Sequence, residues 1–142
     1  MGVLLFIRKT GKMRLIDDKG IVRGEWEARN NTVEGREPVP LGVHKINTRP
    51  GDVVYYDEQN SKYESQGPLF IAIGDYEKMD EDAKRRSGIH GHGRKPSIEH
   101  LTKGCIRMWN EEVLEMFEKI QELRKEEENV EEFVIILEEE GK

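Results

Sequence analysis

A chain of 142 residues, 35% apolar and 37% charged, is long enough to bury one core beneath a heavily charged surface, and its strand and helix patterning sets it apart from a disordered polyampholyte. Its formal charge of −6 argues against a nucleic-acid partner, which needs clustered Lys and Arg to neutralise phosphates. A single cysteine excludes an intrachain disulfide, and no segment approaches the length of a membrane span.

The first hundred residues are punctuated like a β protein. Val3 to Arg8 predicts a short strand, Thr10-Gly11-Lys12 a turn, and Met13 to Asp17 a second strand. After a turn at Asp18-Lys19-Gly20, Ile21 to Ala28 predicts a third, with Val22, Gly24, Trp26 and Ala28 sharing one face. Asn30 to Pro40 reads as a loop rich in Gly, Pro and charge. Val43 to Ile46, Val53 to Tyr56 and Leu69 to Ile73 predict three more strands, the last turning Ile71 and Ile73 one way and Phe70 and Ala72 the other. Residues 75–87 form a polar excursion, expected as a loop with a helical turn, and Lys84-Arg85-Arg86 within it reads as a solvated face. Asn110 is placed to cap a helix carrying Glu111 and Glu112 in its first turn, where negative charge suits the dipole. Val113, Leu114, Phe117, Ile120 and Leu123 then mark an apolar stripe at helical spacing, read as core packing. Phe133 to Leu137 closes the chain as a buried strand. The pattern shows one domain over residues 1–142, with no repeat and no internal boundary.

The run Val3-Leu4-Leu5-Phe6-Ile7 has no basic stretch before it and no small-residue cleavage site after it, so it does not read as a signal peptide. The expectation is a cytosolic protein, or a mature or trimmed form of an exported one.

Residues 88–110, GIHGHGRKPSIEHLTKGCIRMWN, concentrate the chemistry: three of the four histidines, and Cys105 fifteen positions after His90. Two readings compete. In one, Cys105 is a thiol nucleophile and His90 its base; a neutral thiol reacts poorly, so a neighbouring base or positive electrostatics is required. His90, between Gly88 and Gly91, is expected just past a strand end where backbone approaches something closely, and Cys105 at a loop-to-helix junction whose dipole favours thiolate. Backbone amides at Lys103, Gly104 and Cys105 would then converge on an oxyanion, with Gly104 allowing the tight nest. In the other reading, His90, His92, His100 and Cys105 ligate zinc, although their spacing matches none of the common paired patterns. A buried, unreactive cysteine is the third possibility.

The stretch Ile89-His90-Gly91, a spacer, then Thr102-Lys103-Gly104-Cys105-Ile106-Arg107-Met108 resembles the active-site signature of L,D-transpeptidases of the YkuD type: His-Gly, a spacer, then Ser/Thr-His-Gly-Cys, often continuing Ile-Arg. Pro38 to Ile46 resembles the family's Thr-Pro-Leu-Gly-x-Phe-x-Ile segment, residues 3–28 its opening strands, and 110–123 the helix after its cysteine. Two positions depart from the pattern: Lys103 stands where the family has histidine, and Val39 where it has threonine.

The resemblance implies a mostly β fold of two packed mixed sheets, sandwich- or barrel-like, with one main helix after the cysteine. It implies a cysteine enzyme without a cofactor that acts on peptidoglycan stem peptides, outside the cytoplasmic membrane, and is susceptible to carbapenems. Cys105 would be the nucleophile, His90 the base, and a backbone carbonyl near Gly91 the acceptor orienting it. Lys103 and Gly104 would serve the oxyanion; Arg107 and Trp109 are candidates for substrate contact, with an ion pair and core packing as their structural alternatives. A non-catalytic domain that binds cell-wall peptide is the alternative that Lys103 raises.

Overall fold

The computed structural model describes residues 3–32, 34–35, 38–46, 48–51, 53–61, 63, 67–74, 88–93, 105–126 and 133–139. Among them are nine strands and one helix: β1 (Val3–Ile7), β2 (Lys12–Ile16), β3 (Val22–Glu27), β4 (Gly42–Lys45), β5 (Val54–Tyr55), β6 (Leu69–Ala72), β7 (Gly88–His92), β8 (Ile106–Trp109), α1 (Asn110–Glu126) and β9 (Phe133–Leu137). The strands form two mixed sheets. One has the order β3-β2-β1-β9-β4, the other β5-β6-β7-β8. Each contains one parallel pair, β1 with β9 and β7 with β8.

The five-stranded sheet follows from alternation. Leu4 and Phe6 stand opposite Leu15 and Met13 on β2 and opposite Val134 and Ile136 on β9, and all six are buried. The β2–β3 turn is held by Asp17, whose Oδ1 accepts from the amides of Lys19 and Ile21, both at 2.9 Å. On β3 the expected face is half right. Trp26 and Ala28 are buried, but Val22 is 51% exposed, because the register slips between Leu15 and Ile16. Opposite one another stand Leu15 and Gly24, then Ile16 and Val22; the extra residue turns Val22 to the outer face.

Leu69, Ile71, Ile73, Ile89, Ile106 and Met108 of the second sheet join this core. Helix α1 adds Val113, Met116, Ile120 and Leu123 and lies along β3, where Trp26 Nε1 donates to Glu115 and Arg23 pairs with Glu126 at 2.8 Å. The stripe differs from expectation at one place: Leu114 is 42% exposed and Met116, one helical turn before Ile120, is fully buried. Two isolated bridges stitch the sheets together, Arg29 to Arg107 and Ile46 to Ile73. No helix among the described residues is long and apolar enough to cross a membrane. The excursion at 75–87 lies outside the described residues.

Candidate active site

Strands β7 and β8 were not apparent as strands in the sequence, and they carry the site. His90 stands inside β7, not beyond a strand end. Cys105 immediately precedes β8, so a four-residue strand separates it from α1. The thiol therefore gains nothing from a helix N-terminus, whose influence fades within a turn.

The alternation of the two strands sorts their side chains. Ile89, Ile106 and Met108 point into the core, whereas His90 and its register partner Arg107 belong to the opposite face, followed by His92 and Trp109. Continuing that register by one residue sets Cys105 beside Gly88, and the Gly88 amide donates a hydrogen bond to the thiol. Phe70, opposite His90 on β6, supplies the neighbouring wall: its ring stacks on the imidazole with centroids 6.3 Å apart and planes at 15°. The flanking glycines have separate reasons. A Cβ on Gly88 would strike the Phe70 ring, and one on Gly91 would strike Asn110 and Val113 of α1. Asn110 begins the helix as expected, but its buried Oδ1 makes no hydrogen bond to the first-turn amides and lies against Gly67 and Gly91.

His90 Nδ1 is 2.7 Å from the Gly91 carbonyl oxygen. A carbonyl only accepts, so Nδ1 carries the proton and, in the neutral ring, Nε2 carries the lone pair. His90 is 5% exposed and Cys105 6%. Burial drives His90 down to about 4, against the pull of the Gly91 carbonyl, with Arg107 and His92 adding to the depression. Burial drives Cys105 up to about 11, opposed by the Gly88 amide and the charge of Arg107. At neutral pH the pair is thiol and neutral imidazole. Arg107, half-buried, is itself lowered by desolvation and raised by Cys105.

Trp109 is half-buried at the end of β8. His44, expected on a strand, lies on β4 with Nε2 2.6 Å from the Pro40 carbonyl. Lys103, Gly104 and His100 lie outside the described residues. Among the described residues no three His, Cys, Asp or Glu side chains group as a metal site. Asn30, at the start of a segment expected only as loop, is buried at 2% exposure. Its Nδ2 donates to the Cys105 carbonyl at 2.9 Å and its Oδ1 accepts from the Val39 amide at 3.0 Å. No local pattern marks it, since one partner is 75 residues away.

A single thiol and a carbonyl-oriented histidine on the outer face of one sheet of a two-sheet domain define a candidate cysteine–histidine site. The chain belongs to the YkuD family of L,D-transpeptidase catalytic domains, whose model matches residues 2–136. No curated protein sequence matches it at a significant level. Among solved structures it is similar in fold to an L,D-transpeptidase from Stackebrandtia nassauensis (TM-score 0.62, 12% identity, covering 97% of this chain and 56% of that one). It is also similar to the helical cell shape determining protein Pgp2 from Campylobacter jejuni (TM-score 0.58, 19% identity, 99% and 48%). A third similar structure is Bd1075 from Bdellovibrio bacteriovorus (TM-score 0.59, 15% identity, 97% and 48%). The chain thus spans about half the length of these proteins.

Proposed function

We propose that this domain is a cysteine-dependent L,D-transpeptidase acting on peptidoglycan stem peptides. The observation that carries the reading is the Nδ1 bond of His90 to Gly91, 2.7 Å long, which leaves Nε2 as the basic nitrogen on the face that Cys105 shares. Family membership supports the substrate class.

The resting pair is neutral, so proton transfer accompanies attack. Cys105 Sγ bonds to the carbonyl carbon of the third stem residue while His90 Nε2 takes the thiol proton. The imidazolium so formed is held by Gly91, and the negative charge has moved to the oxyanion. Amides of Gly104 and Cys105, with Lys103 beside them, are the assigned oxyanion donors. Collapse breaks the peptide bond, and His90 returns the proton to the departing D-alanine amine. An amine of a second stem, or water, then attacks the thioester carbonyl and gives its proton to His90 Nε2. The C–S bond breaks and Cys105 Sγ takes that proton back, leaving two cross-linked third residues or, with water, a carboxylate and so carboxypeptidase activity. Arg107 is assigned to a substrate carboxylate: its partly desolvated charge lies close enough to bear on both His90 and Cys105. Trp109, beyond it on β8, is assigned to the cleft wall. Action on peptidoglycan places the working protein outside the cytoplasmic membrane.

The test is intact-protein mass spectrometry after incubation with a carbapenem. One adduct on the wild type and none on Cys105→Ala is the expected result. No adduct, together with no turnover of tetrapeptide stems, overturns the reading. Stem-peptide binding shared by the wild type and Cys105→Ala, with no turnover by the wild type, assigns the domain to peptide binding instead.

A further inference from the structure

The backbone that presents Cys105 is gripped from the side opposite β7. Beyond the end of β3, Arg29 and Arg107 exchange both backbone hydrogen bonds, at 2.9 and 2.8 Å. The next residue, Asn30, extends this contact through its side chain. Its carboxamide spans two main-chain groups that are far apart in sequence: the carbonyl of Cys105 and the amide of Val39. Val39 is in turn tied to β1, because its carbonyl accepts from the Arg8 guanidinium. Both Asn30 bonds are buried, and Asn30 is 2% exposed.

A core asparagine that only satisfied itself would need any two partners. This one joins the carbonyl of the candidate nucleophile to the segment lying across from it. Cys105 stands just outside β8, where the β7–β8 ladder has ended. The peptide that follows it has its amide end in β8, at Ile106, and its carbonyl end on Asn30. Holding that carbonyl restrains the main-chain rotation that sets the Cα–Cβ direction of Cys105, and with it the aim of Sγ relative to His90 and the Gly88 amide. A misplacement of about an ångström at a reacting atom is enough to cost on the order of a hundredfold in rate.

We propose that Asn30 is a positioning residue for Cys105, a brace that holds the nucleophile's main chain against the Val39 segment. The proposal rests on the reading of Cys105 as the nucleophile. Asn30 touches no reacting atom and acts through the Cys105 peptide.

Two variants separate its arms. Asn30→Ala removes both bonds. Asn30→Asp keeps the shape and the acceptor for the Val39 amide but loses the donor to Cys105. Alkylation of Cys105 by iodoacetamide across pH, which needs no stem peptide, is measured beside kcat and KM on a tetrapeptide stem, well below each melting temperature. Both variants are expected to shift the alkylation pH profile by about half a unit or more. Both are expected to lower kcat about tenfold or more with KM within about threefold. A purely structural asparagine would lower the melting temperature and leave these readouts in place, and that result overturns the proposal. Wild-type behaviour of Asn30→Asp beside a defective Asn30→Ala also overturns it, since the donor bond would then be dispensable. If Asn30→Ala does not fold, Asn30→Asp alone decides. If the wild type turns over no stem peptide but alkylation still responds to Asn30, the brace stands and the proposed reaction falls.

Discussion

Replacing His90 with asparagine removes a titration that burial has displaced, and the consequence is readable as stability. In the folded chain the imidazole protonates at about 4, against 6.5 as the ordinary value, chiefly because protonation would place a charge at a 95%-buried position next to Arg107. The unfolded chain takes up that proton first as pH falls. Stability from the neutral ring is therefore complete above pH 6.5 and lost progressively as pH drops through about 4. A displacement from 6.5 to about 4, at about 1.4 kcal/mol per pH unit, gives roughly 3 kcal/mol. Urea denaturation of the wild type and of His90→Asn at pH 7, 6, 5 and 4 reads it directly. Carboxylates titrate in both proteins and cancel in the comparison. The wild type should lose about 3 kcal/mol more than the variant between pH 7 and pH 4, most of it below pH 6. Parallel curves would show that His90 is solvated and protonates normally, and the neutral-imidazole account would fall with them.

Other consequences can be checked separately. With Cys105 near 11, its alkylation by iodoacetamide should rise about tenfold per pH unit from 7 to 10; a plateau below pH 8 would reveal a preformed thiolate. Gly91→Ala drives a methyl against Asn110 and Val113 and should cost about 1–3 kcal/mol, measured as a lowered melting temperature that Asn110→Ala partly restores. Phe70→Ala removes a side chain that is 5% exposed and stacked on His90, at a cost of about 3–5 kcal/mol. It should also raise the His90 protonation midpoint toward 6.5 by NMR titration, because the chief cause of the depression is desolvation.

The parts of the fold legible in the sequence are those marked by an apolar run or by alternation. Val3–Ile7 and Phe133–Leu137 announce their strands by unbroken apolar runs, and Met13 and Leu15 announce theirs by alternation. Phe70 was correctly set on the face opposite Ile71 and Ile73, and that face proved to be the one with His90. Strands β7 and β8 were hidden by their composition. In Gly88–His92 both faces are specialised: Gly88 clears Phe70, Gly91 clears α1, and only Ile89 looks like core. In Ile106–Trp109 the alternation is present, but it runs straight into Asn110 and reads as the approach to a helix. The motif set Cys105 and His90 side by side as candidates, whereas their surroundings were misplaced, because the parallel pairing of β7 with β8 is a long-range event. Val22 was misassigned for a similar reason: a register slip between strands leaves no local mark. Asn30 shows the limit most clearly, since its role depends on partners at 39 and 105 that no periodicity connects to it.

The central claim is that Cys105 carries the acyl group. Rapid acid quench of the wild type mixed with a tetrapeptide stem, followed by intact-mass and peptide-map analysis, tests it most directly. The account predicts a transient adduct on Cys105 equal to the stem peptide less its terminal D-alanine, absent from Cys105→Ala and increased when no acceptor amine is supplied. Release of D-alanine by Cys105→Ala at the wild-type rate, or turnover with no mass on the thiol, would contradict it.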